Sequence, residues 1–136
     1  MIIYLKMKKA ILASILIVAM AGCKETEFSP EGPTDVRIKN NSTLAMTEVT
    51  VNTSGGIKAM GSVNAGQYSE YFRFDKAFPK AEISAVINGQ TYSTGTVDYN
   101  GMTYIGQAKI TYVVYIKDAN NKLLAISEVI PDAPLD

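Results

Sequence analysis

Apolar and polar residues alternate in short runs over most of the chain. Residues 36–39, 44–51, 67–74 and 110–117 show this period of two, which is typical of β-strands that bury one face. Turn signals rich in Asn, Gly, Asp and Pro separate the runs at intervals of roughly 8 to 12 residues, as in sandwiches and barrels. No run after the N-terminal region has the length and period of a helix. The pattern therefore predicts an all-β domain.

One hairpin has a particularly clear signal. Asn88-Gly89 lies between two β-rich runs, and a two-residue type I′ turn requires positive φ at both of its central positions. Such a turn would pair Ala85 with Tyr92. Residues 110–117 are apolar on both faces, which predicts a central strand followed by a hairpin loop at residues 118–122. Residues 123–130 are expected to return alongside it, and Pro131 is expected to end the pairing.

Together these elements favour an antiparallel two-sheet sandwich of about 7–8 strands, either immunoglobulin-like or transthyretin-like. The chain has no Trp and a single Cys, so the Trp and the disulfide that mark immunoglobulin domains are missing. The topology is therefore left open, and an open barrel is the alternative.

The N-terminal region has the features of a secretory signal. A basic start precedes an apolar run over residues 10–21, whose length of about 12 residues is well short of the roughly 20 that span a membrane. Ala21-Gly22-Cys23 resembles the lipobox of bacterial lipoproteins, although Met20 stands where Leu is usual. The resemblance implies that Cys23 is lipidated and becomes the first residue after cleavage. The alternative is a secreted protein with an unmodified Cys23.

The residues that follow Cys23 are Lys24, Glu25, Thr26 and Glu27. They resemble the signal of Bacteroidota lipoproteins that directs export to the outer face of the outer membrane. The resemblance implies that Lys24, Glu25 and Glu27 form an export signal and that the domain faces the exterior. An ordinary solvated linker is the alternative for this segment, and the periplasmic face is the alternative location.

These observations divide the chain into four segments. They are a signal peptide (1–22), a lipidated N-terminus and tether (23–34), the β-domain (35–131) and a C-terminal tail (132–136). The residues after position 22 carry ten Lys and Arg against thirteen Asp and Glu, a net charge of −3. This acidic balance argues against nucleic acid as a partner and leaves the lipid as the expected contact with the membrane.

The sequence offers little for catalysis. Histidine is absent, which excludes Ser-His-Asp and Cys-His nucleophile systems and His metal sites. Asp98, Asp118 and Glu128 are scattered over turns and strands, so their spacing does not indicate a carboxylate pair for glycoside hydrolysis. In the loop after Asp118, Lys122 occupies a position where a calcium loop needs an oxygen ligand. We therefore predict no catalytic residue, no metal and no cofactor.

Tyrosine is the remaining candidate for ligand binding. An aromatic ring with a polar tip suits both glycan stacking and protein interfaces, although strand propensity explains tyrosines equally well. Tyr99 and Tyr104 flank the Asn100-Gly101 turn, and Tyr71 alternates with polar neighbours. These three side chains are predicted to be exposed and available to a ligand.

The whole region after the signal peptide, including the stretches 36–42 and 49–52, is similar to small Bacteroidota lipoproteins with a β-sandwich domain. This resemblance covers most of the chain and implies an envelope location and no particular site. The function expected from these observations is a non-enzymatic binding module at the outer membrane, with a protein or glycan ligand. The alternative is a structural accessory subunit of an envelope assembly that accepts a partner strand at an open sheet edge.

Overall fold

The computed structural model describes residues 28–136, which form eight strands and no helix. The all-β prediction is therefore confirmed for this part of the chain. The strands are β1 (Thr34–Asn40), β2 (Met46–Asn52), β3 (Ile57–Val63), β4 (Phe72–Phe74), β5 (Glu82–Ile87), β6 (Gln90–Ser93), β7 (Ala108–Asp118) and β8 (Leu123–Pro134).

The eight strands join into one sheet in the order β3-β2-β5-β6-β8-β7-β1-β4. Strand β3, at one end of this order, lies beside β1 and β4 at the other end, so the sheet curls nearly into a barrel. The prediction of two separate sheets was not confirmed, because the pair Ser93–Leu123 joins β6 to β8. Nor is the sheet wholly antiparallel, since β1 runs parallel to β7 and β6 parallel to β8. The open-barrel alternative describes the architecture more closely.

The predicted hairpin forms with the expected register. Asn88 and Gly89 both have positive φ, of 50° and 75°, as a type I′ turn requires. Ala85 pairs with Tyr92, and this face of β5 and β6 is buried. The local turn chemistry therefore determines which side of the hairpin enters the core.

Strand β7 is central, as predicted, because β1 and β8 pair with it on either side. Its inward side chains meet those of the other strands in one continuous core, in which Tyr112 is completely buried. Other large buried side chains of this core are Phe74, Ile38, Met46, Ile83, Ile87 and Ile110.

The last strand extends beyond its predicted end. Strand β8 continues through Pro131 to Pro134, and Pro131 pairs with Ile110. Pairing survives because the register shifts between Ile110 and Lys109, which leaves Asp132 as an extra residue on β8. Proline is tolerated at such irregular positions, where the ladder is already interrupted. The segment predicted as a tail thus belongs mostly to the sheet.

The first strand likewise begins at Thr34, just before the predicted domain boundary. Residues further towards the N-terminus are also attached to the domain, because the Gln107 side-chain amide donates to the carbonyl oxygens of Phe28 and Ser29. The predicted strand over residues 67–74 is shorter than expected, since only Phe72–Phe74 is a strand. Tyr68 instead makes an isolated bridge to Lys39.

A candidate binding face

The outer face of β1, β7 and β8 holds a cluster of polar and aromatic side chains. On β1, Val36 and Ile38 point into the core, so Arg37 between them points outward. Thr111 of β7 is the register partner of Arg37, and the extra residue Asp132 places its side chain beside both. We call this set the Arg37 cluster, which comprises Arg37, Tyr68, Tyr71, Thr111 and Asp132.

The Asp132 carboxylate is the common acceptor of the cluster. The hydroxyls of Thr111 and Tyr71 donate to Asp132 Oδ2 at 2.6 Å and 2.8 Å. Arg37 Nε donates to Thr111 Oγ1 at 2.9 Å, and its Nη2 lies 3.6 Å from Asp132 Oδ1. The Asp132 side chain is 17% exposed, and its bond from Thr111 is partly buried, whereas its bond from Tyr71 lies at the surface. The network fixes the Arg37 guanidinium on the sheet.

Two tyrosine rings contact the same guanidinium. Arg37 Cζ lies 4.2 Å from the centroid of the Tyr68 ring and 4.8 Å from that of the Tyr71 ring. Both distances are within the range of cation–π contacts, which favour flat stacking of Arg on aromatic rings. Tyr71 is half-buried, whereas Tyr68 remains 46% exposed. The cluster therefore presents one exposed aromatic ring, Tyr68, next to polar side chains that hydrogen bonds hold in place.

Ion pairs border the cluster. Arg73 makes two hydrogen bonds to Asp35, from Nε to Oδ1 at 2.8 Å and from Nη2 to Oδ2 at 3.1 Å. Lys109 Nζ lies 2.6 Å from Asp136 Oδ2 and 5.6 Å from the Tyr71 ring centroid. This pairing of opposite charges keeps the face close to neutral and holds its side chains in place.

The electrostatics keep the Tyr71 hydroxyl protonated. Partial burial raises the pKa of Tyr71, and its hydrogen bond to Asp132 raises it further. Asp136 raises the pKa of Lys109 mainly through their hydrogen bond, so this ammonium stays charged. At neutral pH the tyrosine is therefore a hydrogen-bond donor to Asp132.

The structure does not bring the three predicted tyrosines together. Tyr71 belongs to the Arg37 cluster but is half-buried. Tyr99 was expected at the surface and is also half-buried, with its ring centroid 5.0 Å from that of Phe78 and its hydroxyl donating to the Asn52 carbonyl at 3.2 Å. Tyr104 is 42% exposed, as predicted. Cys23 and the export-signal residues Lys24, Glu25 and Glu27 lie outside the described residues.

Sequence reasoning missed four members of the cluster, namely Arg37, Tyr68, Thr111 and Asp132. Arg37 could have been found, because it lies at the outward position of an alternating strand. The alternation over residues 67–74 predicts that Tyr68 lies on a continuous strand with Phe72 and Phe74, which the structure does not show. No sequence signal marked Asp132, since it joins the cluster only through the register shift between β7 and β8.

Two of the three acidic residues considered for catalysis, Asp98 and Asp118, have local structural roles. Asp118 accepts hydrogen bonds from the Asn120 and Asn121 backbones, which close the β7–β8 turn, and its pKa is lowered chiefly by a bond from the Asn121 side chain. Asp98 accepts from the Asn100 backbone in the same manner. Residues 28–136 hold no group of three or more His, Cys, Asp or Glu side chains placed to share a metal ion.

In the part of the chain that begins at Phe28, no helix has the length and apolar character needed to cross a membrane. No family model and no curated protein matches the sequence. One similar solved structure is an NMR structure of a protein from Eubacterium rectale, with a TM-score of 0.50 and 10% identity over 76% of this chain and 96% of that one. At this identity the similarity concerns the fold alone. Fold and cluster together define residues 28–136 as an all-β domain with a polar, aromatic outer face.

Proposed function

We propose that the protein is a lipid-anchored, non-enzymatic binding module at the outer membrane, facing the exterior, and that its Arg37 cluster binds glycans. The observation that carries this proposal is Tyr68, an exposed ring held on a rigid base of hydrogen-bonded side chains. An aromatic ring can stack on the apolar face of a sugar while neighbouring polar groups meet its hydroxyls.

The surroundings of Tyr68 support a sugar better than an apolar ligand. Arg37 and Lys39 contact the ring, and both offer hydrogen-bond donors near it. Tyr71 and Asp132 lie behind Arg37 and restrict its movement. A ligand therefore meets side chains that are already ordered, so little conformational entropy is lost on binding.

We also infer that the two halves of the curled sheet act as the layers of a sandwich. The halves β3-β2-β5-β6 and β8-β7-β1-β4 are joined by one strand pair at the β6–β8 junction, and β3 approaches β1 and β4 at the other end. An immunoglobulin-like or transthyretin-like sandwich would present the Arg37 cluster on its outer surface, away from the core. This outer position supports a role for the cluster in binding because it leaves the Tyr68 ring accessible to a ligand.

Tyr68→Ala is expected to weaken glycan binding by about tenfold. An aromatic contact of this kind contributes on the order of 1 kcal/mol beyond the area it buries, and about 1.4 kcal/mol corresponds to a factor of ten. Full-length protein would be screened on an array of plant, host and bacterial oligosaccharides, and the best ligand titrated by calorimetry.

Tyr104→Ala is the matched control, because Tyr104 is exposed to a similar extent and lies outside the cluster. It should leave the affinity unchanged. Arg37→Lys keeps the charge but loses the planar contact with both rings, and should also weaken binding. Equal affinities for wild type, Tyr68→Ala and Arg37→Lys would show that sugars bind elsewhere, and an array without any binding would contradict the glycan proposal.

Cys23→Ser is expected to release the protein from the membrane fraction, since the lipid would then have no site of attachment.

In the wild type, protease added to intact cells should digest the domain, whereas Lys24→Ala/Glu25→Ala should be protected. Digestion in lysed cells controls for intrinsic resistance of each variant. Protection of both proteins on intact cells would place the domain in the periplasm and refute surface display.

A further inference from the structure

Strand β8 has one edge that is almost unpaired. Strand β7 pairs with it along its length on one side, whereas β6 meets it on the other side only at Leu123. The segment 94–107 begins next to this junction and ends beside Ala108, which pairs with Pro134. The backbone N–H groups of Thr94, Val97 and Ile105 donate to Ile83, Glu82 and Ala77. Within the described residues, no backbone hydrogen bond joins this segment to β8.

A groove lies between the segment and the first part of β8. Its volume is about 450 Å³. Apolar side chains line it from both sides, namely Val97 and Met102 of the segment and Leu124 and Ile126 of β8. The groove therefore combines an open strand edge with apolar surface beside it, which are the two features used when a protein accepts an added strand.

The charges at the groove favour an acidic partner. Lys80 and Lys117 both line it and are exposed, and neither forms a salt bridge within residues 28–136. Asp98 is the only acidic residue among the lining side chains, and its carboxylate accepts a hydrogen bond from the Asn100 backbone. This positive local charge contrasts with the acidic balance of the whole domain.

The far end of the edge is protected against pairing. Pro131 and Pro134 lie there, and the register of β8 shifts near Asp132. Prolines and irregularities of this kind discourage the addition of a strand. The open stretch is thus confined to the beginning of β8, next to the groove.

We propose that this stretch of β8 binds an extended segment of a partner protein, which adds a strand beside residues 124–126, just beyond the pairing of Leu123 with β6. Apolar side chains at alternate positions of the segment enter the groove, and an acidic side chain meets Lys80 and Lys117. This site is separate from the Arg37 cluster, because Asp132 lies six residues beyond Ile126, or about 20 Å along an extended strand.

Three labelled hexapeptides would test the proposal with the full-length protein, by fluorescence anisotropy. The first has Val at alternate positions and a central Glu, the second replaces this Glu by Lys, and the third is the Glu peptide N-methylated at alternate amides. We expect the Glu peptide to bind about fivefold more tightly than the Lys peptide, in line with exposed charge pairs worth up to 1 kcal/mol. The N-methylated peptide should not bind, since it cannot complete a ladder.

Lys117→Glu should remove the preference for the Glu peptide, whereas Lys58→Glu, the same charge change on an exposed residue of β3, should retain it. Equal binding of the N-methylated peptide, an unchanged preference in Lys117→Glu or no binding at millimolar peptide would each overturn the proposal. Self-association in sedimentation that protects the β8 amides would also overturn it, because a second copy would then occupy the edge. Glycan titrations of Lys117→Glu should match wild type, which separates this site from the Arg37 cluster.

Discussion

Asn40→Ala should destabilise the protein by about 3 kcal/mol, a large share of the 5–15 kcal/mol typical of a domain. Asn40 is the last residue of β1 and has no exposed surface. Its side-chain amide donates to the carbonyl oxygens of Leu44 and Val63, at 2.8 Å and 2.9 Å. Its side-chain oxygen Oδ1 accepts hydrogen bonds from the backbone N–H and the hydroxyl of Ser42.

The expected loss is large because one side chain holds three parts of the chain together. The bonds from Asn40 fix the turn after β1 through Ser42 and Leu44, and they fix the end of β3 through Val63. Alanine would remove the side-chain donor to the buried Val63 carbonyl oxygen and open a cavity at a fully buried position, whereas the Leu44 carbonyl oxygen would still accept from the Ser42 hydroxyl. Contacts near this position also bring β3 towards β1, where the sheet nearly closes.

Chemical denaturation with urea would measure the effect, and Asn41→Ala is the matched control. Asn41 is the neighbouring residue of the same type but is exposed. We expect the control to change the free energy of unfolding by less than about 0.5 kcal/mol, as is usual for surface positions. Similar losses in the two variants would show that the buried network contributes little.

Asn40 also illustrates what could not be predicted from the sequence. Residues 40–42 have the composition of a surface turn, and local propensity cannot reveal that one of two adjacent asparagines is buried. The Asn88-Gly89 hairpin was predictable because its signal is local, and β7 because apolar residues on both faces require neighbours on both sides. The parallel pairing of β1 with β7 depends on contacts between distant residues, which strand periodicity does not encode.

The candidate site likewise has one feature that local sequence signals predict and others that depend on contacts between distant residues. Arg37 could be placed on the outer face of β1 by alternation alone. Its meeting with Asp132 depends on a register shift in β8, and its contact with Tyr68 depends on where the predicted strand 67–74 breaks. The residue types were visible in the sequence, whereas their juxtaposition results from irregularities that sheets often use to redirect side chains.

The second large effect that we expect is loss of stability above pH 10, through Tyr112. This side chain is completely buried on β7, and its hydroxyl donates to the Phe78 carbonyl. Burial is the main reason why the pKa of Tyr112 is raised well above its ordinary value of 10.0. The pKa values of Tyr71 and Tyr99 are also raised, in both cases mainly by burial, so they act in the same direction.

The direction of this change in stability follows from how many protons the folded and unfolded states bind. Above pH 10 the unfolded chain loses the Tyr112 proton while the folded protein retains it, so rising pH favours unfolding. The contribution of Tyr112 is complete below pH 10 and falls by up to about 1.4 kcal/mol per pH unit until the folded pKa is reached. Urea unfolding monitored by circular dichroism at pH 8 and at pH 11 would measure this fall.

Tyr112→Phe separates the proton effect from packing. The variant should be less stable at pH 8 by about 1–2 kcal/mol, because the Phe78 carbonyl loses its donor, yet its stability should fall less steeply towards pH 11. Tyr104→Phe, at an exposed position, should keep the wild-type slope. If Tyr112→Phe and wild type fell in parallel, alkaline unfolding would have to begin at the more accessible Tyr71 or Tyr99 and not in the centre of the core.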